Sequence, residues 1–449
     1  LNEDSAEFSN EYRAREVIAM NYTYKQIWLI NFPVMMSILM EQLINITDAI
    51  FLGHVGEVEL GASALAGIYY LAVYMLGFGF SIGLQVMIAR RNGEQHYKET
   101  GRTFFQGVYF LSGMAVILCL LLHLASPLIL CRLITSDEIY QAVIHYLDWR
   151  SFGLLFSFPF LAFRSFLVGI TTTKALSVAA IMAICINIPF NYLLIFKLNL
   201  GISGAAMASS LAEFGAFIVL LLYMWVRVDK VKYGLKVVYD GKVLIKLLRI
   251  SVWSMLHSFV SVAPWFLFFV AIEHLGRTEL AISNITRSVS TVFFVIVNSF
   301  ASTTGSLVSN LIGAGQGKEL FPVCHKVLRL GYAVGGPLIV MALWGNQWVI
   351  GFYTNNDNLV RLAFYPFIVM LLNYAFALPG YVYINAVTGT GKTKLAFIFQ
   401  LITILVYLIY LYLLSECFHA SLTVYMTAEY LFVILLGIQS IIYLKRKSN

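Results

Sequence analysis

His54-Val-Gly-Glu-Val-Glu-Leu60 returns later in the chain as His274-Leu-Gly-Arg-Thr-Glu-Leu280, displaced by 220 positions (276 − 56). The same displacement, without a gap, lays Gly93 on Gly313, Lys98-Glu99 on Lys318-Glu319 and Asp137 on Asp357. It also lays Pro159 on Pro379, Gly169 on Gly389 and Thr173-Lys174 on Thr393-Lys394. Apolar coincidences would carry little weight in a chain that is 60% hydrophobic. Coincidences among its scarce charged, Gly and Pro residues indicate an internal duplication. Two equivalent halves within a membrane protein point to a transporter whose site lies within or between them.

Composition places the chain in a membrane. Only 12% of its 449 residues are charged, against about 25% in a soluble domain, and the mean hydropathy is +0.80. That is too little polar surface to cover a globule in water. The formal charge of +7 then reads as topology rather than nucleic-acid binding. Cys119, Cys131, Cys185, Cys324 and Cys417 are scattered, with no C-x-x-C or Cys/His cluster. Neither a disulfide framework nor a metal centre is expected from them. The polar stretch from Leu1 to Arg15 lacks the apolar core of a cleavable signal peptide. A start at Leu1 rather than Met is what a trimmed chain would show.

A helix needs about 20 apolar residues to span a bilayer. Twelve such runs lie near 27–52, 60–88, 103–126, 139–163, 176–197, 203–226, 250–273, 280–308, 324–345, 361–387, 395–415 and 421–444. They are too long and continuous for porin-type strands. Basic residues cluster after the second run (Arg90, Arg91, Lys98, Arg102), the sixth (Arg227, Lys230, Lys232, Lys236) and the eighth (Lys318, Lys326, Arg329). Lys445, Arg446 and Lys447 close the chain, and the alternate loops are acidic or nearly neutral. The positive-inside rule puts both termini in the cytoplasm. Six spans per half make the repeat parallel, about an axis along the membrane normal.

The expected class is an all-α polytopic membrane protein of twelve helices in two pseudo-symmetric six-helix bundles. The expected division is an N-terminal lobe over 1–226, a cytoplasmic linker over 227–249 and a C-terminal lobe over 250–449. Lys242, Lys246 and Arg249, interleaved with apolar residues, predict an amphipathic helix in that linker.

A charge at bilayer depth costs about 2.5–3.5 kcal/mol on insertion scales, so polar residues inside the spans are candidates for function. The first span carries Glu41, Gln42, Asn45 and Asp48; the spacing i, i+4, i+7 puts Glu41, Asn45 and Asp48 on one face. Asn187 and Asn191 share a face of the fifth span, and Ser209 and Glu213 share a face of the sixth. Asp48 falls near the outer end of its helix. Asn191 and Ser209 fall about 9 Å from theirs at 1.5 Å per residue. These groups are expected to meet at one level in the outer half of the first lobe. A carboxylate beside amide and hydroxyl oxygens suits a hard cation, or a proton held on the carboxylate. The alternative is that the Asn and Ser residues are interhelical hydrogen-bonding glue.

Elsewhere the signals are weaker. Asp148 and Arg150, two apart, face nearly opposite sides. Arg287 either balances a carboxylate or lines a cavity. Asn373 and Asn385 either line a second-lobe cavity or bridge helices, and His257 reads as a satisfied buried histidine. Gly391-Lys392-Thr393 imitates the end of a phosphate-binding loop, but the first glycine of that motif would fall on Ala386 and no strand precedes it. Nucleotide binding is therefore not expected, and no catalytic constellation marks an enzyme.

Several stretches resemble the multidrug and toxic compound extrusion (MATE) family. They are Gln42-Leu-Ile-Asn-Ile-Thr-Asp48-Ala-Ile-Phe-Leu-Gly53 preceded by Pro33, Ala89-Arg-Arg-Asn-Gly-Glu-Gln95 with its repeat partner Ile312-Gly-Ala-Gly-Gln316, and Asn187-Ile-Pro-Phe-Asn191 followed by Gly201-Ile-Ser-Gly-Ala-Ala-Met-Ala208. The resemblance spans essentially the whole chain. It implies two bundles arranged as a V around a central cleft, and export of organic, often cationic or amphipathic, compounds in exchange for Na⁺ or H⁺. Asp48 matches the family's coupling aspartate, Asn187 and Asn191 its neighbouring fifth-helix ligands, and Ser209 a sixth-helix hydroxyl often filled by Thr. Pro33 matches a proline linked with bending of the first helix. Coupling carboxylates that some members place in the seventh and tenth helices are missing from the core of those helices here. This favours an ion site, for Na⁺ or a proton, centred on Asp48.

The resulting expectation is an ion-coupled multidrug antiporter in a bacterial cytoplasmic membrane. It would be a monomer acting on small organic molecules, with no cofactor beyond the coupling ion and no nucleic-acid or nucleotide partner. A lipid or lipid-linked oligosaccharide flippase of the same superfamily is the alternative. Such proteins often have a strongly basic cavity, whereas intramembrane arginines here are few, mainly Arg150, Arg164 and Arg287.

Overall fold

The computed structural model describes residues 22–134, 136–273, 275, 277–351, 357–417 and 420–448. The polar stretch Leu1–Arg15, and His274 and Gly276 of the repeat, lie outside the described residues. Twelve helices among the described residues are long and apolar enough to cross a membrane, eleven at the places marked above and the seventh, Gly241–Val260, starting nine residues before its marked run; no strand occurs among those residues. The first half runs α1 (Tyr24–Gly53), α2 (Glu57–Gly93), α3 (Tyr97–Leu133), α4 (Asp137–Arg150), α5 (Leu154–Gly169), α6 (Lys174–Asn191) and α7 (Gly201–Arg227). The second runs α8 (Gly241–Val260), α9 (Ala263–Glu273), α10 (Arg277–Gly313), α11 (Leu320–Trp344), α12 (Asn346–Gly351), α13 (Asp357–Leu372), α14 (Tyr374–Gly389), α15 (Thr393–Tyr412), α16 (Leu422–Tyr425) and α17 (Ala428–Ser448).

Helix α1 opens with a capping box. Gln26 N–H donates to Thr23 Oγ1 at 3.3 Å, and Thr23 N–H donates to Gln26 Oε1 at 2.9 Å, which satisfies two of the helix's free donors. Pro33 lies inside α1, which continues through it to Gly53. Its missing N–H frees the carbonyl of Leu29. The Thr173 hydroxyl, from the start of α6, reaches that carbonyl at 3.4 Å and the Ile30 carbonyl at 3.0 Å.

The duplication is written into the backbone. The fifth span ends in a π-turn at Tyr192–Lys197 and the eleventh in one at Leu413–Cys417. The fourth span is broken at Ser151–Gly153 and the tenth at Asn373, the repeat partner of Gly153. Gln95 (φ 60°) pairs in register with Gly315 (φ 74°), and Thr171 (φ 59°) with Gly391 (φ 84°). Each is a left-handed residue closing a helix, a place glycine fills most easily. Gly391 is thus the turn between α14 and α15, with no strand before it, and the phosphate-loop imitation has this local cause.

Two points differ from the expectation. The seventh span is two helices, because Pro264 at the second position of α9 cannot donate to the ladder of α8. Lys242, Lys246 and Arg249 do not form a separate surface helix. They lie in the first turns of α8, which Asp240 caps by accepting from the N–H groups of Lys242 (3.0 Å) and Val243 (3.2 Å) and which runs unbroken to Val260. Nothing near residue 249 breaks that ladder.

Each half has its own apolar core, and the halves exchange anchors. Ile27 of α1 packs into the second core and its repeat partner Leu247 of α8 packs into the first. At the ends rich in basic residues, α10 bonds across to the first half. Ser309 Oγ donates to Val86 O at 2.6 Å, Ser306 Oγ to Val168 O at 2.7 Å, and Asn310 Nδ2 to Gly169 O at 2.9 Å. The two bundles are therefore joined at their cytoplasmic ends.

Candidate functional site

Asp48, Asn187, Asn191 and Ser209 come together. Asp48 is 7% exposed, Asn187 and Asn191 are fully enclosed, and Ser209 is 2% exposed. Asp48 Oδ1 accepts from Asn191 Nδ2 at 2.6 Å and from Asn187 Nδ2 at 3.1 Å. Asp48 Oδ2 accepts a short bond from the Ser209 hydroxyl. Asn187 Nδ2 also reaches Ser209 Oγ at 3.2 Å, and Asn191 Nδ2 reaches Asn187 Oδ1 at 3.1 Å. The i, i+4 spacing on α6 makes this possible, by stacking both amides over one carboxylate.

The chemistry follows from the donor set. A buried carboxylate is costly unless hydrogen-bonded, and here three donors from α6 and α7 compensate it. Both amides can also turn. A 180° flip of Asn187 and Asn191 presents oxygens in place of NH₂ groups. The pocket then offers five oxygens from four side chains, which suits a hard monovalent cation. Asn191 Oδ1 is buried with no partner among the described residues, so an acceptor is already waiting there.

Most other polar residues named from the sequence lie apart from this cluster. Glu41 and Asn45 are exposed and Gln42 is half-buried. Glu41 and Asn45 share the face of Asp48, but none of the three bonds to it. Glu41 lies within electrostatic reach of Arg164 and Glu213, not of the Asp48 cluster. Glu213 pairs with Arg150 at 2.6 Å, and the Arg150 guanidinium sits 4.2 Å from the centre of the Tyr70 ring. The sequence showed that Arg150 turns away from Asp148. It could not show that Arg150 turns toward α7.

In the second lobe, Arg287 pairs with Glu429 at 3.3 Å. Glu429 was missed although it lies eight residues inside the twelfth run, at the start of α17, because its partner stands 142 positions earlier in the chain. Asn373 is buried at the break between α13 and α14, with its Oδ1 unpartnered among the described residues. Asn385 Nδ2 donates to Tyr381 O at 2.9 Å. His257, expected to be satisfied, has a buried Nε2 without a partner among the described residues. It lines a cavity of about 20 Å³ with Ser254, Asn385 and Thr388. A larger recess of about 460 Å³ lies at the cytoplasmic end, lined by Arg249, Trp253, Lys392, Lys394 and Tyr443 among others.

Known proteins carry the same architecture. A probable multidrug resistance protein NorM from Idiomarina loihiensis is 21% identical over 74% of this chain and 73% of its own length. Multidrug and toxin extrusion protein 1 from Mus musculus is 26% identical over 67% of this chain and 55% of its own. Among solved structures, a MOP superfamily transporter from Pyrococcus furiosus superposes with a TM-score of 0.86 at 16% identity, covering 95% of this chain and 96% of that one. A eukaryotic MATE transporter superposes with a TM-score of 0.80 at 19% identity, covering 94% and 97%. The MatE family model matches residues 33–193 and again residues 254–413, one copy in each half of the duplication. With most of its length matched in this way, the chain is a multi-pass integral membrane protein that belongs to the MatE family of transporters.

Proposed function

We propose that this protein exports organic, often cationic or amphipathic, compounds by antiport with Na⁺ or H⁺ through alternating access, and that Asp48 is the coupling carboxylate. The observation that carries the reading is the enclosure of Asp48 by Asn187, Asn191 and Ser209, with an amide oxygen to spare. Donors satisfy the carboxylate when no ion is held, and oxygens replace them when a cation enters. Coupling requires that this exchange favour one access state over the other. The names of the relatives, multidrug resistance and toxin extrusion proteins, support drug-like cargo.

The arginines weigh against a flippase. Two of the three intramembrane ones, Arg150 and Arg287, are each matched by a carboxylate. That leaves little free positive charge for a pyrophosphate.

The test is efflux of a fluorescent cationic dye from proteoliposomes under separately imposed Na⁺ and proton gradients, with Asp48→Asn in parallel. Gradient-driven efflux that disappears in the variant is the expected result and names the ion. Full ion-driven efflux by Asp48→Asn would falsify the assignment.

A further inference from the structure

The 220-residue register carries the first-lobe cluster onto the second half, where different residues stand. Asp48 maps onto Phe268, Asn187 onto Tyr407, Asn191 onto Leu411 and Ser209 onto Glu429. Both clusters therefore hold one carboxylate, but in the second it comes from the twelfth span. Arg287 of α10 reaches into this place. Its NH1 lies 3.3 Å from Glu429 Oε1, and its guanidinium carbon lies 4.6 Å from the centre of the Phe268 ring. The Tyr407 hydroxyl donates to the same Oε1 at 3.4 Å. Arg287 is 2% exposed, and Phe268 and Tyr407 are fully enclosed. The guanidinium thus touches both the residue in place of Asp48 and the carboxylate in place of Ser209. Its own counterpart in the first half is Gly67, where a Cβ would meet nothing within 4 Å.

We propose that the second lobe holds a counterpart of the first-lobe cation site in which the cation is built in, as the Arg287 guanidinium. Such a cation stays charged and cannot leave. Glu429 then needs no monovalent cation from solution, and the exchangeable ion is confined to the first lobe. Replacing the aspartate by Phe268 suits this arrangement, because a ring face attracts a guanidinium without adding a second negative charge. The consequence for stoichiometry, one ion site per transport cycle, rests on Asp48 being the coupling carboxylate. The identity of the second site does not.

The test uses the purified full chain in nanodiscs. Thermal unfolding is followed between pH 5 and 8, with and without Na⁺, for wild type, Arg287→Gln, Glu429→Gln and the double variant. Among the described residues, the titratable and charged groups facing Glu429 include Arg287 from α10, Tyr381 from α14 and Tyr407 from α15, and phenols do not titrate in this range. Arg287→Gln leaves the carboxylate uncompensated, so it must take up a proton or Na⁺ to stay buried. Its stability should fall as pH rises and recover with Na⁺, beyond the wild-type response, and the double variant should lose that extra dependence. Arg287→Lys, which keeps a charge, should respond as wild type does. A wild-type pH and Na⁺ response in Arg287→Gln, or an extra dependence that persists in the double variant, would overturn the proposal. If Arg287→Gln does not fold, recovery of folding in the double variant supports the proposal and continued failure overturns it. None of these outcomes depends on transport. A failure at Asp48 is therefore read separately, from the dye efflux of Asp48→Asn.

Discussion

Gly93 and Gly313, equated by the repeat, each lie against the backbone of the other half. A Cβ on Gly93 would collide with Asn310 O, and one on Gly313 would collide with Arg90 O. Arg90 and Asn310 are themselves repeat partners, so the contact is two-fold symmetric. It holds the cytoplasmic ends of α2 and α10 together. Any side chain there must push the halves apart.

Gly93→Leu and Gly313→Leu should therefore have the same effect. Overpacking of this kind costs about 1–3 kcal/mol, which shifts a two-state equilibrium roughly 5- to 150-fold. Both variants are expected to fold, to lose export, and to show longer distances between spin labels on the cytoplasmic ends of the two halves. Unchanged distances with intact export would show that the contact does not set the separation of the two cytoplasmic ends.

Ser209 can be separated from its neighbours by one methyl group. Ser209→Thr keeps the hydroxyl that donates to Asp48, whereas Ser209→Ala removes a bond to a charged group worth about 1.5–3 kcal/mol. Because that bond is made while no ion is held, its loss favours the ion-bound form, so the half-saturating proton concentration in dye efflux should fall about tenfold or more in Ser209→Ala; with Na⁺ as the ion, the lost ligand oxygen opposes this and the fall is smaller. The half-saturating concentration should stay near wild type in Ser209→Thr. Equal values for the two variants would remove Ser209 from the ion site.

The fold and this site were legible for the same reason. In lipid a helix must satisfy its backbone internally, so a long apolar run can only be a span. A rare polar residue inside it keeps its helical address. Asp48, Asn187, Asn191 and Ser209 could be placed by spacing and depth alone. Glu41 and Asn45 share the azimuth of Asp48 but not its burial, since a face says nothing about what covers it at each level. The pairs Arg150–Glu213 and Arg287–Glu429 join residues 63 and 142 positions apart, and no local pattern announces such partners. The break at Pro264 leaves no mark in hydropathy, because the apolar run continues across it.

The Arg150–Glu213 pair should prove asymmetric to mutation. Its side chains are 12% and 22% exposed, and a Cβ on Gly153 would strike both. Removing one partner strands a charge, a loss of about 3–5 kcal/mol in a fully buried pair and less at this exposure. Glu213→Leu and Arg150→Met should each lower the unfolding midpoint, and the two together should lose less than the two single losses combined. Additive losses in this double-mutant cycle would mean that the pair is not coupled.

Thr173 and Pro33 make a coupled pair of a different sort. The proline withholds the N–H that Leu29 O would otherwise accept, and the Thr173 hydroxyl supplies part of what is missing. Thr173→Val should destabilise by about 1 kcal/mol, because it leaves that carbonyl short of a donor inside the membrane. Pro33→Ala restores the helical donor, so Thr173→Val should cost less in that background. A ladder without that gap should also make α1, whose outer half carries Asp48, stiffer, and on the proposed alternating-access cycle it should slow dye release. The two readouts are thermal unfolding of the four-member cycle and single-turnover dye release. If Thr173→Val costs the same with and without Pro33, the hydroxyl serves only Ile30 O, and the proline's freed carbonyl is satisfied elsewhere.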